Sequence, residues 1–97
     1  MFARISTIQA EPGRIDDGIK MANDKVIPTL KGIEGFTAIN FLADRSTGKF
    51  IGVAFWTSEE AMLASADAVN SIRTSVADAM DGKIVGVESF EVVAQSW

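Results

Sequence analysis

The sequence contains no histidine, no cysteine and no tyrosine among its 97 residues. Without cysteine the chain has neither disulfides nor a thiolate nucleophile, which is typical of proteins from reducing compartments. Without histidine it lacks the side chain that most often acts as a general base near neutral pH or binds haem iron. These absences exclude the commonest nucleophilic and soft-metal chemistries.

Positive charge is also scarce, with nine Lys and Arg against thirteen Asp and Glu and a net charge of −4. The basic residues are scattered, whereas binding to a phosphate backbone needs them clustered, so we expect no nucleic-acid partner. No apolar run approaches the roughly 20 residues that cross a bilayer. The first six residues lack the charged-then-apolar layout of a signal peptide. The sequence therefore predicts a cytoplasmic protein with no membrane partner.

The first third of the chain predicts a strand followed by a helix. Residues 2–9 have strand character, and residues 11–13 read as a turn. Pro28 lies near the end of the helix and should alter its hydrogen bonding, because proline has no N–H to donate. Gly32 and Gly35 should end the helix. Apolar residues in this segment recur at the three- and four-residue spacing of a one-faced helix, namely at Ile15, Ile19, Ala22, Val26 and Leu30.

A predicted hairpin comes next. Residues 36–43 and 49–56 read as strands, and the polar loop 44–48 has the length of a hairpin connection, so the two strands should pair antiparallel.

A second helix and a last strand complete the chain. Thr57 and Glu60 have the spacing of a capping box, so the helix should begin at Thr57 and run to about Met80. We expect a break at residues 70–71, where Asn and Ser offer the backbone competing hydrogen bonds. Residues 83–95 read as the last strand.

This order of elements is β-α-β-β-α-β, the ferredoxin-like pattern of the α+β class. We expect one domain over residues 1–97, with a four-stranded antiparallel sheet and two helices on one of its faces. The strands, however, are apolar on both faces, whereas a sheet with one wet face alternates apolar and polar residues. In the last strand, for example, alternation groups Ile84 with Phe90 on one face and Val85 with Val87 on the other.

An apolar sheet face without helices predicts self-association. A patch of this kind exceeds the few hundred Å² that monomers usually expose. We therefore expect a homodimer that packs sheet against sheet, a dimeric α+β barrel with two-fold symmetry. The last strand is long enough to reach the partner and dock Trp97 there.

Two segments resemble the antibiotic biosynthesis monooxygenase family. Residues 26–36, VIPTLKGIEGF, are similar to the end of its first helix and the Gly-Phe entry to its second strand. Residues 55–61, FWTSEEA, are similar to its strand-Trp-Ser-Glu-Glu-Ala junction. The resemblance covers nearly the whole chain and implies the dimeric α+β barrel, with a pocket in each subunit between helices and sheet.

The resemblance also implies candidate site residues. In the haem-degrading relatives, a Trp at the position of Trp56 lines the pocket beside an Asn and a His, and those two positions correspond here to about Ser6 and Ala66. Because both partners are replaced and the chain has no histidine, we exclude a haem degrader of that type. Trp56 is then either a catalytic residue or a large side chain that fills the strand-to-helix corner.

Three further residues are candidates for the site. Asn40 is a polar residue inside an apolar strand, and it either orients a substrate or makes a structural hydrogen bond, for instance across the dimer. Arg73 lies on the apolar stripe of the second helix and either binds an anionic ligand or extends to solvent. Arg4 shares a strand face with Ser6, so both either contact substrate or are solvated at the strand edge.

Two functions fit these observations. One is a cofactor-independent monooxygenase that oxidises a small phenol- or hydroquinone-type aromatic, with Asn40, Trp56 and Arg73 as catalytic residues and Arg4, Ser6 and Ala66 binding substrate. The other is a non-catalytic dimeric module with a small ligand or an accessory role in stress. An enzyme should have a pocket of roughly a few hundred Å³ with convergent polar groups. A purely structural dimer should have that space filled.

Overall fold

The computed structural model describes residues 1–96, so the predicted docking of Trp97 lies outside the described residues. Four strands form one antiparallel sheet with the spatial order β2-β3-β1-β4. The helices lie on one face of this sheet, which confirms the predicted ferredoxin-like α+β fold. The strands are β1 (Phe2–Gln9), β2 (Phe36–Asp44), β3 (Lys49–Trp56) and β4 (Lys83–Glu91).

The first helical run changes its hydrogen bonding just before Pro28, as predicted. The Ile27 N–H donates to the carbonyl of Ala22, five residues back, which is the pattern of a π-helix. Pro28 has no N–H to donate to a carbonyl in the preceding turn. A wider turn beside it therefore loses fewer backbone hydrogen bonds than a regular α-helix would. The run comprises a 3-10 turn (Pro12–Arg14), α1 (Ile15–Met21), a π segment (Ala22–Val26) and α2 (Ile27–Lys31).

The second helical run begins and breaks at positions other than those predicted. Its cap is Ser58, whose hydroxyl accepts from the Ala61 amide at 3.1 Å, so the prediction of Thr57 was wrong. The break falls at Ser65, between α3 (Glu59–Ala64) and α4 (Ala66–Ala79), and residues 70–71 are regular helix. Neither helical run, among the residues described, is long and apolar enough to span a bilayer.

The hairpin between β2 and β3 forms as predicted. Its loop is fixed by Asp44, whose carboxylate accepts from the Ser46 amide at 2.9 Å and from the Ser46 hydroxyl at 2.7 Å. These bonds favour the ionised form and lower the pKa of Asp44. Gly48 completes the loop with φ of +82°, a conformation that residues with a side chain rarely adopt.

The core lies between the helical runs and the sheet. Its largest fully buried side chains come from both layers, so burial of apolar surface joins helices to sheet. They are Ile15, Leu30, Phe50, Trp56 and Met80.

The opposite face of the sheet carries no helix, and we call it the bare face. Strand register places Val53 beside Ile5 and Phe55 beside Ala3 at its centre. Leu42 and Phe90 on the two edge strands are about half exposed, at 51% and 50%. The predicted apolar character of the second face is confirmed for β1 and β3, but Glu88 beside Ile5 and Asn40 beside Val53 add polar groups on the two edge strands.

A bulge in β4 corrects the predicted grouping of its residues. Thr7 pairs with Gly86 but Ile8 pairs with Ile84, so Val85 is an extra residue in the ladder. Ile84 therefore shares the helix-covered face with Ile8, whereas Phe90 lies on the bare face. Strict two-residue alternation puts Ile84 and Phe90 on the same face of the sheet, because it takes no account of an inserted residue.

Gly35 joins α2 to β2 in a conformation that requires glycine. Its φ is +83°, and a Cβ added there would overlap the Cβ of Ala61. The Gly35 carbonyl accepts from the Thr57 amide at 2.9 Å, so the turn also ties β2 to the start of the second helical run.

We predict that Gly35→Ala lowers the free energy of unfolding by about 1–3 kcal/mol, because it combines backbone strain with a steric overlap. The matched control is Gly13→Ala, where an added Cβ meets nothing within 4 Å and φ is ordinary. Urea unfolding at one fixed protein concentration measures both changes. Equal midpoints for the two variants would contradict the assignment.

Candidate functional site

A small cavity, which we call the inner pocket, lies between the two helical runs and the sheet. Its open volume is about 50 Å³. That is room for a few water molecules, and it is smaller than the few hundred Å³ expected for an enzyme pocket. Its polar lining comes from Arg4, Ser6 and Arg73, and its walls are apolar, including Val26, Ile39, Phe41, Phe50, Val69 and Ile72.

Arg4 extends from β1 into the break of the second helical run. Its guanidinium donates to the carbonyl of Met62 at 2.6 Å and to the hydroxyl of Ser65 at 3.2 Å. The Ser65 hydroxyl in turn donates to the same Met62 carbonyl at 2.7 Å. Only 5% of Arg4 is exposed, and this desolvation lowers its pKa. The break at Ser65 thus gives a buried cation its acceptors.

Arg73 reaches the same strand from α4. Its Nε donates to the hydroxyl of Ser6 at 2.9 Å, and its terminal nitrogen donates to the Asn70 side-chain oxygen at 3.2 Å. Arg73 is 8% exposed. Desolvation is the main cause that lowers its pKa, and repulsion from the positive charge of Arg4 lowers it further.

Neither pocket arginine has a carboxylate partner among residues 1–96. The two guanidiniums are bonded to neutral oxygens only, so the inner pocket carries uncompensated positive charge in an apolar setting. Buried charges are usually paired, which makes this arrangement unusual. The ion pairs of the described residues are all on the surface: Arg14 with Asp17 and Asp81, Lys20 with Asp24, and Arg45 with Asp16.

Trp56 fills the corner where β3 meets the second helical run. It is fully buried and packs edge-to-face on Phe36, with ring centroids 5.6 Å apart. The Cζ of Arg4 lies 5.9 Å from the indole centroid, within the range of a cation–π contact. The indole Nε1 is buried and has no hydrogen-bond partner among the described residues. Trp56 therefore supports Arg4 from behind and is not part of the pocket wall.

Two of the predicted site residues lie away from the inner pocket. Asn40 points to the bare face and is exposed there, beside Thr37, Phe55 and Gln95. Ala66 is exposed at the start of α4. The structure thus brings Arg4, Ser6 and Arg73 together with Trp56 behind them, and it separates Asn40 and Ala66 from this group.

A shallow cavity, which we call the outer groove, adjoins the inner pocket on the outside of the helices. Its volume is about 180 Å³, and its lining includes Lys25, Thr29 and Ser75. Val26 and Ile72 line both spaces. These two apolar side chains are therefore the wall between the inner pocket and the outer groove, and Val26 belongs to the π segment.

Sequence reasoning did not find the acceptors of Arg4. Ser65 interrupts an alanine-rich helix, and serine competes with the helical backbone for hydrogen bonds, so the signal was present. An arginine at a strand position facing the helices was the second signal. The Met62 carbonyl carries no signal in the sequence, because it becomes available only through the break.

The chemistry that these residues offer is electrostatic. No cluster of three or more His, Cys, Asp or Glu suited to a metal ion occurs among residues 1–96. The inner pocket is lined by no carboxylate, and the chain has no histidine or tyrosine. Such a site is suited to holding an anion and excluding water, and it has no evident general base.

Solved structures with the same architecture come from several bacteria. A Deinococcus radiodurans protein assigned by name to the antibiotic biosynthesis monooxygenases superposes with a TM-score of 0.74 over 99% of this chain and 96% of its own, at 13% identity. This chain has the antibiotic biosynthesis monooxygenase fold.

Two further matches to this fold carry functional names. A Streptomyces coelicolor monooxygenase, solved in complex with nanaomycin D, has a TM-score of 0.68 at 16% identity, covering 98% of this chain and 92% of its own. SnoaB, a cofactor-independent oxygenase of Streptomyces nogalater, has a TM-score of 0.67 at 12% identity, covering 97% and 94%. At these identities the likeness establishes the fold that the sequence motifs predicted.

Sequence comparison finds nearer relatives without a described activity. An uncharacterised Mycobacterium tuberculosis protein is 39% identical over 94 residues, which is 97% of this chain and 42% of that protein. A second one from the same organism is 39% identical over 77 residues, 79% of this chain and 33% of that protein. This chain thus spans less than half the length of the curated relatives it matches. No protein-family model matches the chain.

We predict that Ser65→Ala lowers the free energy of unfolding by about 1–3 kcal/mol, because a buried guanidinium loses an acceptor. Ser75→Ala is the matched control, since Ser75 is exposed in the same helical run and bonds only the Ser71 carbonyl. The control should change stability by no more than about 0.5 kcal/mol. Urea unfolding measures both, and equal effects would show that Ser65 does not support Arg4.

Proposed function

We propose that this chain is a cofactor-independent monooxygenase that oxidises a small, electron-rich phenol or hydroquinone in the inner pocket. The observation that carries the proposal is the pair of buried arginines in an apolar enclosure. Two proteins of the same fold, the nanaomycin-bound monooxygenase and SnoaB, bear names of this reaction class, and that supports it.

In this proposal the substrate binds as its anion. Opposite charges close by favour the ionised form of a phenol, so Arg4 and Arg73 lower the pKa of a bound hydroxyl. This removes the need for a general base in the pocket. Apolar walls exclude water and strengthen the electrostatic interaction, because the local dielectric constant is low.

The reaction balances without a cofactor. The phenolate transfers an electron to O₂, and the resulting pair combines to form a carbon–oxygen bond at a ring carbon that bears hydrogen. The peroxide takes up the proton that the phenol released, and loss of water, with the hydrogen of that carbon, leaves a quinone carbonyl. Phenol and O₂ thus give quinone and water, with Arg73 stabilising the anionic species.

The size of the inner pocket restricts the substrate. A cavity of about 150 Å³ is known to hold benzene, which is more than the 50 Å³ open here. A single aromatic ring therefore fits only when Val26 and Ile72 move and the inner pocket joins the outer groove. A polycyclic substrate would require larger changes.

We predict O₂ consumption with a panel of hydroquinones and single-ring phenols, measured with an oxygen electrode. Arg73→Met should reduce kcat by about 10²–10³-fold, the usual cost of removing a donor to a developing oxyanion. Arg45→Met is the control, because it removes an arginine from the exposed hairpin and should leave kcat unchanged. No uptake above the uncatalysed rate with any member of the panel would refute the proposal.

A non-catalytic ligand-binding protein is the second candidate function. The small inner pocket and the missing general base favour it. The same panel separates the two functions, because a binding protein retains substrate in a dialysis experiment yet consumes no O₂.

We also propose that two copies pair through their bare faces. Central apolar residues such as Ile5 and Val53 lie on this face, and burying them against a second copy at about 25 cal/mol per Å² favours association. A two-fold arrangement lets each copy cover the other. The exposed Asn40 would then lie within the interface.

We predict that light scattering gives twice the chain mass of 10.4 kDa for the unaltered protein and the single mass for Val53→Lys. A lysine at the centre of the bare face would bury an unpaired charge in the dimer. Leu63→Lys is the control, since Leu63 is 63% exposed on α3 and away from the bare face. A monomeric unaltered protein at micromolar concentration would exclude this dimer.

A further inference from the structure

We propose that the ligand of the inner pocket carries a carboxylate that binds between Arg4 and Arg73, so that the substrate class is a single-ring aromatic carboxylate. The aromatic part of this inference rests on the proposed function. The carboxylate part does not depend on that function, because it is argued from the arginines and the shape of the pocket.

The first argument is the count of unused donors. Two guanidiniums present ten N–H groups, and the hydrogen bonds of the described residues engage four of them. The Nε of Arg4 and one terminal nitrogen of Arg73 make no hydrogen bond within the described residues, and neither is sealed from solvent. These nitrogens are therefore free to donate to an entering ligand. A carboxylate offers two oxygens with about four acceptor positions, and its planar geometry matches the guanidinium fork.

The second argument is charge. Both arginines are more than nine-tenths buried and line the same pocket, and neither has a carboxylate partner among the described residues. The positive charge of Arg4 also lowers the pKa of Arg73. Leaving like charges together in an apolar enclosure is costly. A monoanion between the two arginines would attract both guanidiniums. A neutral ligand of the same shape would leave the repulsion between them in place.

The third argument is the shape of the space. The 50 Å³ inner pocket as it stands has room for a carboxylate but not for a ring. The ring enters beside the carboxylate, next to the arginines, when Val26 and Ile72 move and the inner pocket joins the 180 Å³ outer groove. The wall of Val26 and Ile72 separates them, and Val26 lies in the π segment, where the regular helical hydrogen-bond ladder is already interrupted. Lys25 at the outer groove adds positive charge along the approach of an anion.

The test compares benzoate with benzamide, which has nearly the same shape and no charge. Isothermal titration calorimetry on the unaltered protein should show benzoate binding at least about tenfold more tightly than benzamide. Arg73→Met should remove that preference, and Arg73→Lys should restore part of it, because lysine keeps the charge but not the fork. Arg45→Met is the matched control and should leave both affinities within about twofold.

The possible outcomes separate this inference from the proposed function. Equal affinity for benzoate and benzamide, no benzoate binding, or an equal loss in Arg73→Met and Arg45→Met would each overturn the inference. Preferential benzoate binding without O₂ consumption by hydroxylated benzoates would keep the inference and remove the monooxygenase. O₂ consumption with neutral phenols, without tighter binding of benzoate than of benzamide, would keep the monooxygenase and remove the inference. Circular dichroism and urea unfolding of Arg73→Met confirm that the variant is folded.

Discussion

The structure depends on how two guanidiniums are buried without a counter-charge. Arg4 inserts into the second helical run, and the run breaks at Ser65, where the hydroxyl and the Met62 carbonyl accept from Arg4. Neutral oxygens compensate less of the lost hydration than a carboxylate would. An anion that enters the pocket would offset the part of the desolvation cost that remains. The helix break therefore supplies the acceptors that hold the charge of Arg4 beside the inner pocket.

The bare face sets a separate constraint. The helical runs cover one side of the four-stranded sheet, and the other side leaves apolar residues of β1 and β3 without a covering among residues 1–96. This constraint is independent of the inner pocket, because the pocket lies entirely on the helix side. Asn40 lies on the bare face and is separated from the residues around Arg4.

Much of the fold could be predicted from the sequence, because periodicity and turn residues report burial directly. The order of elements, the hairpin at residues 44–48 and the altered bonding before Pro28 all follow from local patterns. Predictions failed where a long-range contact decided the outcome. The break moved to Ser65 because Arg4, distant in sequence, binds there, and the cap moved to Ser58 because helix starts shift easily by a residue.

The candidate site was predictable in part for the same reason. Arg4 and Ser6 share a strand face, and Arg73 shares a helical stripe with Val69, so local periodicity was enough to place them toward one space. Asn40 could not be placed, because a strand apolar on both faces gives no signal for which face meets the helices. The pocket volume depends on how Phe41 stacks on Phe50 and on the positions of Val26 and Ile72, which pairwise patterns do not encode.

A site without histidine, tyrosine or cysteine places most of the chemistry on the substrate. The two pocket arginines stay charged throughout the ordinary pH range even with lowered pKa values, since an arginine is not deprotonated in proteins. In the proposed reaction no side chain of the inner pocket changes its protonation, so the rate would follow the ionisation of the substrate hydroxyl. Two phenols of different acidity would then give pH profiles displaced by the difference in their own pKa values. A general base in the protein would instead impose one common pKa on both profiles, and this contrast follows from the residues that the chain lacks.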